Sequence, residues 1–291
     1  MTRIVIGTGD HVYQVVHPFG KLPSGMPLGN VSHVATDSLG RVYAYQRKDP
    51  PMLVFDSDGN LLTTWGEGQL LDAHGIYITP SDEVFLVDRD AHEVLKFDTE
   101  GKVLLRIGTR ERPSLHGPFN HPADVAVAPD GEIFVADGYG NSRVHRFTAE
   151  GRLIKSWGAR GSGPAQFTTP HGIWVDGMGR VFVCDRENNR VQIFSVEGEY
   201  LAEWRDLFHP MDICTDAQGV FYVTDQIPRL TLLSAEGEMV TRGRTPFNGH
   251  GMWIDSVGSI YLAGNAAGVT KLVRSKVREG GRAGKGRSDT Q

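Results

Sequence analysis

Residues 121–158 read HPADVAVAPDGEIFVADGYGNSRVHRFTAEGRLIKSWG, and residues 170–204 repeat them in outline as PHGIWVDGMGRVFVCDRENNRVQIFSVEGEYLAEW. Each stretch holds four short strands. An apolar run leads to a turn (APDG, DGMG) and an alternating strand (EIFVAD, RVFVCD); RVHRF or RVQIF follows, then a second turn and a strand ending near tryptophan. Gly/Asp turns between strands this short are hairpins in series. One position at the head of the first strand can be followed through the chain as Ser32, His74, Ala123, His171, Met211 and His250, recurring every 39 to 49 residues. Six four-stranded units at a period of ~40–50 residues predict an all-β fold, a six-bladed β-propeller; a β-helix would need a far shorter period.

A ring must also bury its last edge, because an open edge strand invites aggregation. The sixth unit supplies GMWID, SIYLA and VTKLV and then passes into RSKVREGGRAGKGRSDTQ, which cannot be a strand. HVYQVV near the N-terminus matches the missing outer strand, so the ring is expected to close by the N-terminal strand pairing into the last blade. The propeller is therefore expected over residues 1–274, with 275–291 a disordered, solvated Gly/Arg-rich tail.

The 291 residues are 40% hydrophobic, ample for a buried core, and 30 Lys+Arg against 35 Asp+Glu leave a net charge of -5. That balance carries no electrostatic footprint for nucleic acid or an anionic membrane and points to a small or polar partner. The N-terminus has no apolar stretch of signal-peptide length, and no run approaches the ~20 apolar residues that span a bilayer, so a cytoplasmic protein is expected. Cys184 and Cys214 form neither a disulfide framework nor a paired metal motif and are expected to be buried thiols.

In a propeller the first strand of each blade lines the central channel. His74, His171 and His250 hold one position in the second, fourth and sixth units, and alternate blades of a six-fold ring stand about 120° apart, so three imidazoles point at a common spot. Ser32, Ala123 and Met211 in the other units leave that spot clear. Three histidines with an open fourth position describe a catalytic zinc-type site, and iron, cobalt or copper would also accept imidazole. Channel histidines can instead hydrogen-bond to one another or to water; the strict alternation favours the metal. His121 and His209, two residues ahead of the same position, are expected at the channel entrance or in solvent-facing loops. His33, His92, His116 and His145 have no matching partners and receive no role.

A second register falls where the next strand leaves the channel: Arg47, Arg89 and Arg186 occupy it in the first, second and fourth units, and Tyr139 stands beside its third member, Gly138. Guanidinium groups near a metal repel it unless an anion lies between, and arginine grips carboxylate through a planar fork. Arg89 reads first as paired with a loop aspartate such as Asp88. Arg47, preceded by Gln46 where other units have aspartate, reads as functional. Asp88, Asp137, Asp185 and Asp225 recur at one place and are expected to fix turns by capping backbone amides. Trp65, Trp157 and Trp204, at outer-strand ends, are expected to pack blades together.

HPADVAVAPDGEIFVADGYGNSRVHRF, GPAQFTTPHGIWV and DRENNRVQIF give the chain a specific resemblance to NHL-repeat proteins, and within them to the peptidyl-α-hydroxyglycine α-amidating lyase family. The resemblance runs from the first blade to the sixth and implies a six-bladed propeller. It also implies a catalytic zinc at His74, His171 and His250, a tyrosine base at Tyr139, and Arg47 and Arg186 near the substrate. Arg89 and Asn248 complete the expected substrate-binding set. The sequence departs from the family where Asn248 replaces a methionine, and where Gly251 replaces an aspartate that helps bind a structural calcium, so calcium does not carry over. The cysteine pairs of the secreted lyases are missing, in keeping with a reducing compartment and a substrate smaller than a peptide hormone.

These readings combine into a metal-dependent C–N lyase that cleaves an N-substituted α-hydroxyglycine-like carboxylic acid into an amide and glyoxylate. The metal would lower the pKa of the substrate hydroxyl. Tyr139 would take its proton, which requires a phenol pulled below its ordinary ~10. Arg47 and Arg186 would hold the carboxylate. A metal-dependent hydrolase, hydratase or epimerase of another small carboxylic acid would use the same residues, and Asn248 keeps that open. A third reading is a non-enzymatic NHL scaffold, which would have no use for three symmetry-related channel histidines. A lactonase-like propeller would hold its metal with carboxylates, and none occupies the histidine positions.

Overall fold

The computed structural model describes residues 4–26 and 28–275, and is built almost wholly of strands. Five four-stranded sheets and one five-stranded sheet form six blades, with a short parallel pair, Ala159–Arg160 and Gln166–Phe167, between the third and fourth. The inner strands are Val31–Thr36, Ala73–Ile78, Asp124–Val127, Pro170–Val175, Pro210–Thr215 and Gly251–Ile254. Each packs against the next, and the last packs against the first, so the ring is closed.

Closure follows the expected route. His11–Phe19 runs antiparallel to Val269–Arg274, with Tyr13 opposite Arg274 and Val16 opposite Lys271. The sequence reading missed a fifth strand, Val5–Thr8, which folds back on His11–Gln14 and covers the outer edge of the sixth blade. Ser275 donates its backbone N–H to the Val12 carbonyl; the rest of the expected tail, 276–291, lies outside the described residues.

The alternating pattern of each blade has two apolar faces because each blade is sandwiched between two others. Six buried clusters result, one at each junction between neighbouring blades. Trp65, Trp157 and Trp204 sit in three of them as expected, each against a turn of the following blade. Those turns carry Gly101, Gly198 and Gly237 at φ +86, +75 and +87, where a Cβ would lie 2.8, 2.7 and 2.2 Å from the indole. Glycine is thus required twice over, by the left-handed turn and by the ring above it.

The recurring aspartates cap the loop that leads into their own blade. Asp88 accepts the Leu71 and Asp72 N–H groups, Asp137 that of Asn120, Asp185 that of Thr168 and Asp225 that of Phe208. In the first blade Gln46 Oε1 does the same for Gly29 at 2.7 Å. Cys184 and Cys214 are free and buried, and burial pushes both thiols well above their usual range, which makes them inert. Among the described residues no helix is long and apolar enough to cross a membrane.

Candidate metal centre

In the second and fourth blades the pairing of the inner strand slips between Ala73 and Ile76 and between Pro170 and Ile173. His74 and His171 stand in these bulges, which turn a side chain out of the regular alternation. His250 precedes its strand and is held by its N–H to the Ala263 carbonyl at 2.7 Å. The three rings form a nearly equilateral triangle, with centroids 4.9–5.0 Å apart.

Each imidazole is oriented by the blade between it and the next. Nδ1 of His74 lies 2.6 Å from the Ala123 carbonyl, that of His171 2.8 Å from Met211, and that of His250 2.8 Å from Ser32. A carbonyl can only accept, so each Nδ1 carries the hydrogen and each Nε2 keeps its lone pair for the channel axis. The positions without histidine therefore serve the triangle through their backbone, which explains why their side chains are free to be serine, alanine and methionine.

Burial pushes the basicity of all three down, with neighbouring cations adding to it. His74 and His171 lie well below the ordinary histidine range, and His250 is lowered to about 3. All are neutral at pH 7, the state in which imidazole binds a metal. Three buried, neutral, convergent Nε2 atoms from three separate blades fit a zinc-type ion.

Tyr139 reaches the same point. Its hydroxyl lies 3.0 Å from His74 Nε2, 3.1 Å from His171 Nε2 and 3.3 Å from an Arg186 guanidinium nitrogen. The guanidinium groups of Arg89 and Arg186 face its ring, 5.3 and 5.4 Å from the centroid. Arg186 opens a 3-10 turn, Arg186–Asn188, and is steadied by Glu187 at 2.8 Å. Arg47 donates from Nε to the Ala73 carbonyl at 3.0 Å, beside His74.

Asp72, two residues before His74, was missed by the sequence reading. It lies 3.4 Å from Arg47 Nε and 3.0 Å from Arg89 Nε, tying the two arginines together. Arg89 thus pairs with Asp72 and Asp90 instead of Asp88, because Asp88 is turned inward to its capping task. The signal for Asp72 lies in the register two residues ahead of the histidine position, which also holds His121, His209 and Asn248. His121 packs edge-on against His92 at 4.3 Å, and His209 Nδ1 lies 3.1 Å from Glu187. His92 and His121 are therefore partners. His145 is buried between Asp137 and Ser156 as a blade residue. Asn248 is exposed ahead of His250 and, among the described residues, makes no hydrogen bond to the other site residues.

The NHL repeat family matches residues 119–147 and 167–194. The chain is 32% identical over 251 residues to NHL repeat-containing protein 3 of Mus musculus, covering 77% of this chain and 72% of that one. It is 30% identical over 196 residues to a probable peptidyl-alpha-hydroxyglycine alpha-amidating lyase of Caenorhabditis elegans, covering 58% of this chain and 56% of the lyase. The chain thus spans about half the length of that lyase. A solved streptogramin B lyase shares the fold, with a TM-score of 0.66 at 13% identity over 85% of this chain and 94% of that one.

Proposed function

Because the chain belongs to the NHL-repeat protein family, in a lyase-like propeller form, we propose that its channel mouth is the active site of a metal-dependent C–N lyase. The substrate is an N-substituted α-hydroxyglycine-like acid, and the products are an amide and glyoxylate. The observation that carries this reading is the triangle of neutral imidazoles with the Tyr139 hydroxyl 3.0 and 3.1 Å from two of their Nε2 atoms. The likeness to a probable amidating lyase supports the choice of reaction.

His74, His171 and His250 would hold the ion through Nε2, and a bound zinc-type ion supplies Lewis acidity toward the substrate hydroxyl. Tyr139, whose oxygen sits beside the triangle, takes the hydroxyl proton as general base. The freed electron pair forms the glyoxylate C=O as the C–N bond breaks, and Tyr139 returns the proton to the departing amide nitrogen. Arg186, in contact with Tyr139, and Arg47, beside His74, hold the carboxylate. Asp72 fixes Arg47 and Arg89 so that the anion meets oriented guanidinium groups. No covalent intermediate is needed; positioning and charge stabilisation carry the reaction.

A second reading draws on the same hydroxyl. With no ion present, Tyr139 can donate its single hydroxyl hydrogen to Nε2 of His74 or of His171, an arrangement that a metal-free binding propeller could also use. Elemental analysis of the purified protein, run beside an assay for glyoxylate released from α-hydroxyhippurate, separates the two. One zinc-type ion at the triangle with glyoxylate release supports the lyase. Metal without glyoxylate leaves a hydrolase, hydratase or epimerase of another small acid, and full activity without metal overturns the mechanism.

A further inference from the structure

One backbone hydrogen bond recurs around the channel mouth. A residue just past the second strand of a blade donates its N–H to the carbonyl of the residue two before that blade's histidine position: Arg47 to Asn30, Arg89 to Asp72, Tyr139 to His121, Arg186 to Thr169 and Gln226 to His209, at 2.8–3.3 Å. In the third blade the place passes from Gly138 to Tyr139, because a Cβ on Gly138 would lie 1.8 Å from the Pro170 carbonyl. In the sixth blade Asn265 instead donates to the Val31 carbonyl of the first at 2.9 Å. Arg47, Arg89, Tyr139, Arg186 and Gln226 thus leave the backbone at equivalent points of the ring.

Four of these five side chains are tied into the site. Arg47 is held by the Ala73 carbonyl and Asp72, Arg89 by Asp72 and Asp90, Arg186 by Glu187, and Tyr139 touches the triangle. The fifth, Gln226, is exposed, and among the described residues its carboxamide makes no hydrogen bond. Arg47 of the first blade meets Asp72, which stands two before the histidine position of the second. The same step from Gln226 leads to Asn248, ahead of His250 and likewise exposed. Neutral carboxamides therefore occupy the fifth- and sixth-blade side of the mouth, where the first, second and fourth blades place cations. The first and fourth blades face each other across a six-fold ring, so Tyr139 stands on one side of the line from Arg47 to Arg186 and Gln226 on the other.

We infer that Gln226 is a further catalytic residue of the proposed lyase, the hydrogen-bond donor to the acyl oxygen of the departing amide; the assignment rests on that reading of the site. The carboxylate lies between Arg47 and Arg186, and the hydroxyl lies at the triangle beside Tyr139. The acyl group beyond the nitrogen is left the opposite side of the mouth, over the fifth and sixth blades. As the C–N bond breaks, its electron pair passes to nitrogen and, by amide resonance, to the acyl oxygen, before nitrogen takes the proton from Tyr139. The Gln226 carboxamide N–H donates to that oxygen most strongly while it carries the charge, so the bond favours the transition state over the bound substrate. A neutral donor suits this side, since a third cation there would draw the substrate carboxylate away from Arg47 and Arg186.

The test is glyoxylate release by the full chain from N-acetyl-, N-chloroacetyl- and N-dichloroacetyl-α-hydroxyglycine, whose amides leave with increasing ease. Gln226→Met keeps the side-chain length and removes the donor, and Gln226→His keeps a neutral ring N–H. We expect Gln226→Met to retain the wild-type metal content and KM and to lose about tenfold in kcat on the acetyl substrate, as for a bond made in the transition state. The loss should shrink along the series, as less charge needs support, and Gln226→His should recover part of it. A Gln226→Met protein as fast as wild type, or one slowed equally on all three substrates, overturns the inference and leaves the lyase reading standing. A wild-type protein that releases glyoxylate from none of the three overturns the lyase reading, and the role of Gln226 falls with it.

Discussion

His250 and His33 are both buried near the axis in neighbouring blades, yet one is lowered to about 3 and the other raised to about 9. Burial acts on both in the same direction, against the charged form. Around His250 burial dominates; the hydrogen bond to the Ser32 carbonyl opposes it, and the cations Arg47, His33 and Arg186 add to the lowering. Around His33 the carboxylates of Asp212 and Asp124 outweigh burial, and Asp124 is itself pushed up by its own burial. Two layers one residue apart in sequence thus have opposite chemistry: the upper is neutral and presents Nε2 lone pairs; the lower is ionic.

The largest effect should come from removing an upper-layer imidazole. His171→Ala is expected to lose the triangle's metal and at least about 100-fold in glyoxylate production, more than the loss of a residue that merely supports a ligand. Tyr139→Phe should keep the metal and lose roughly 10²–10⁴-fold in turnover as a lost acid–base group. Elemental analysis and steady-state kinetics on the same preparations check both. A tyrosine variant that loses metal with activity would make Tyr139 a ligand instead of a base.

Stability should rank the layers the other way. Asp212→Ala strands the His33 imidazolium and two backbone N–H groups, and should cost about 3–5 kcal/mol in urea unfolding, as breaking a buried ion pair does. His171→Ala removes only neutral contacts, to the Met211 carbonyl and the Tyr139 hydroxyl, and should cost less. Equal losses would break the contrast.

The layers should also part company with pH once chelator has removed all metal. His33 is raised, so its stabilisation is fully present below about 6.5 and is lost as pH rises through about 9; His33→Gln should flatten that alkaline limb. His250 is lowered, so the unfolded chain binds its proton first, and stability is lost as pH falls from about 6.5 toward 3. Urea midpoints across pH for wild type and His33→Gln measure the difference. An alkaline limb unchanged in the variant would remove His33 as its cause.

Smaller effects test how the layers share space. Gly75→Ala places a Cβ 2.4 Å from Asp124 Oδ1 and 2.9 Å from the Ala123 carbonyl that orients His74, so a loss of about 1–3 kcal/mol should accompany weaker metal retention. Met211→Leu should cost less than about 1.5 kcal/mol and leave the metal count unchanged, since that residue serves His171 through its carbonyl alone. A lost ion there would mean that the methionine side chain matters.

The repeat was legible because a propeller writes its period into hairpin turns and strand-end tryptophans, and those are local chemistry. The histidine triangle was legible because equal spacing on a closed ring implies convergence. His33 went unassigned because its partners, Asp124 and Asp212, differ from it in residue type, and only the glycines opposite, Gly75, Gly172 and Gly251, mark the register. Arg89 pairs with loop aspartates as expected, but with Asp72 and Asp90 and not with Asp88, because adjacency in sequence says nothing about which way a capping aspartate turns.

The sequence by itself determined that six similar units form one ring and that histidine returns in every second unit, since both follow from period and pattern. Only the tertiary structure decided which carbonyl holds each imidazole, that Tyr139 reaches across to two of them, and that a carboxylate-lined layer lies directly beneath. Those facts depend on bulges, on the space left by glycine, and on contacts between blades some 40 residues apart in the chain, such as His171 with Met211, and no local pattern records them.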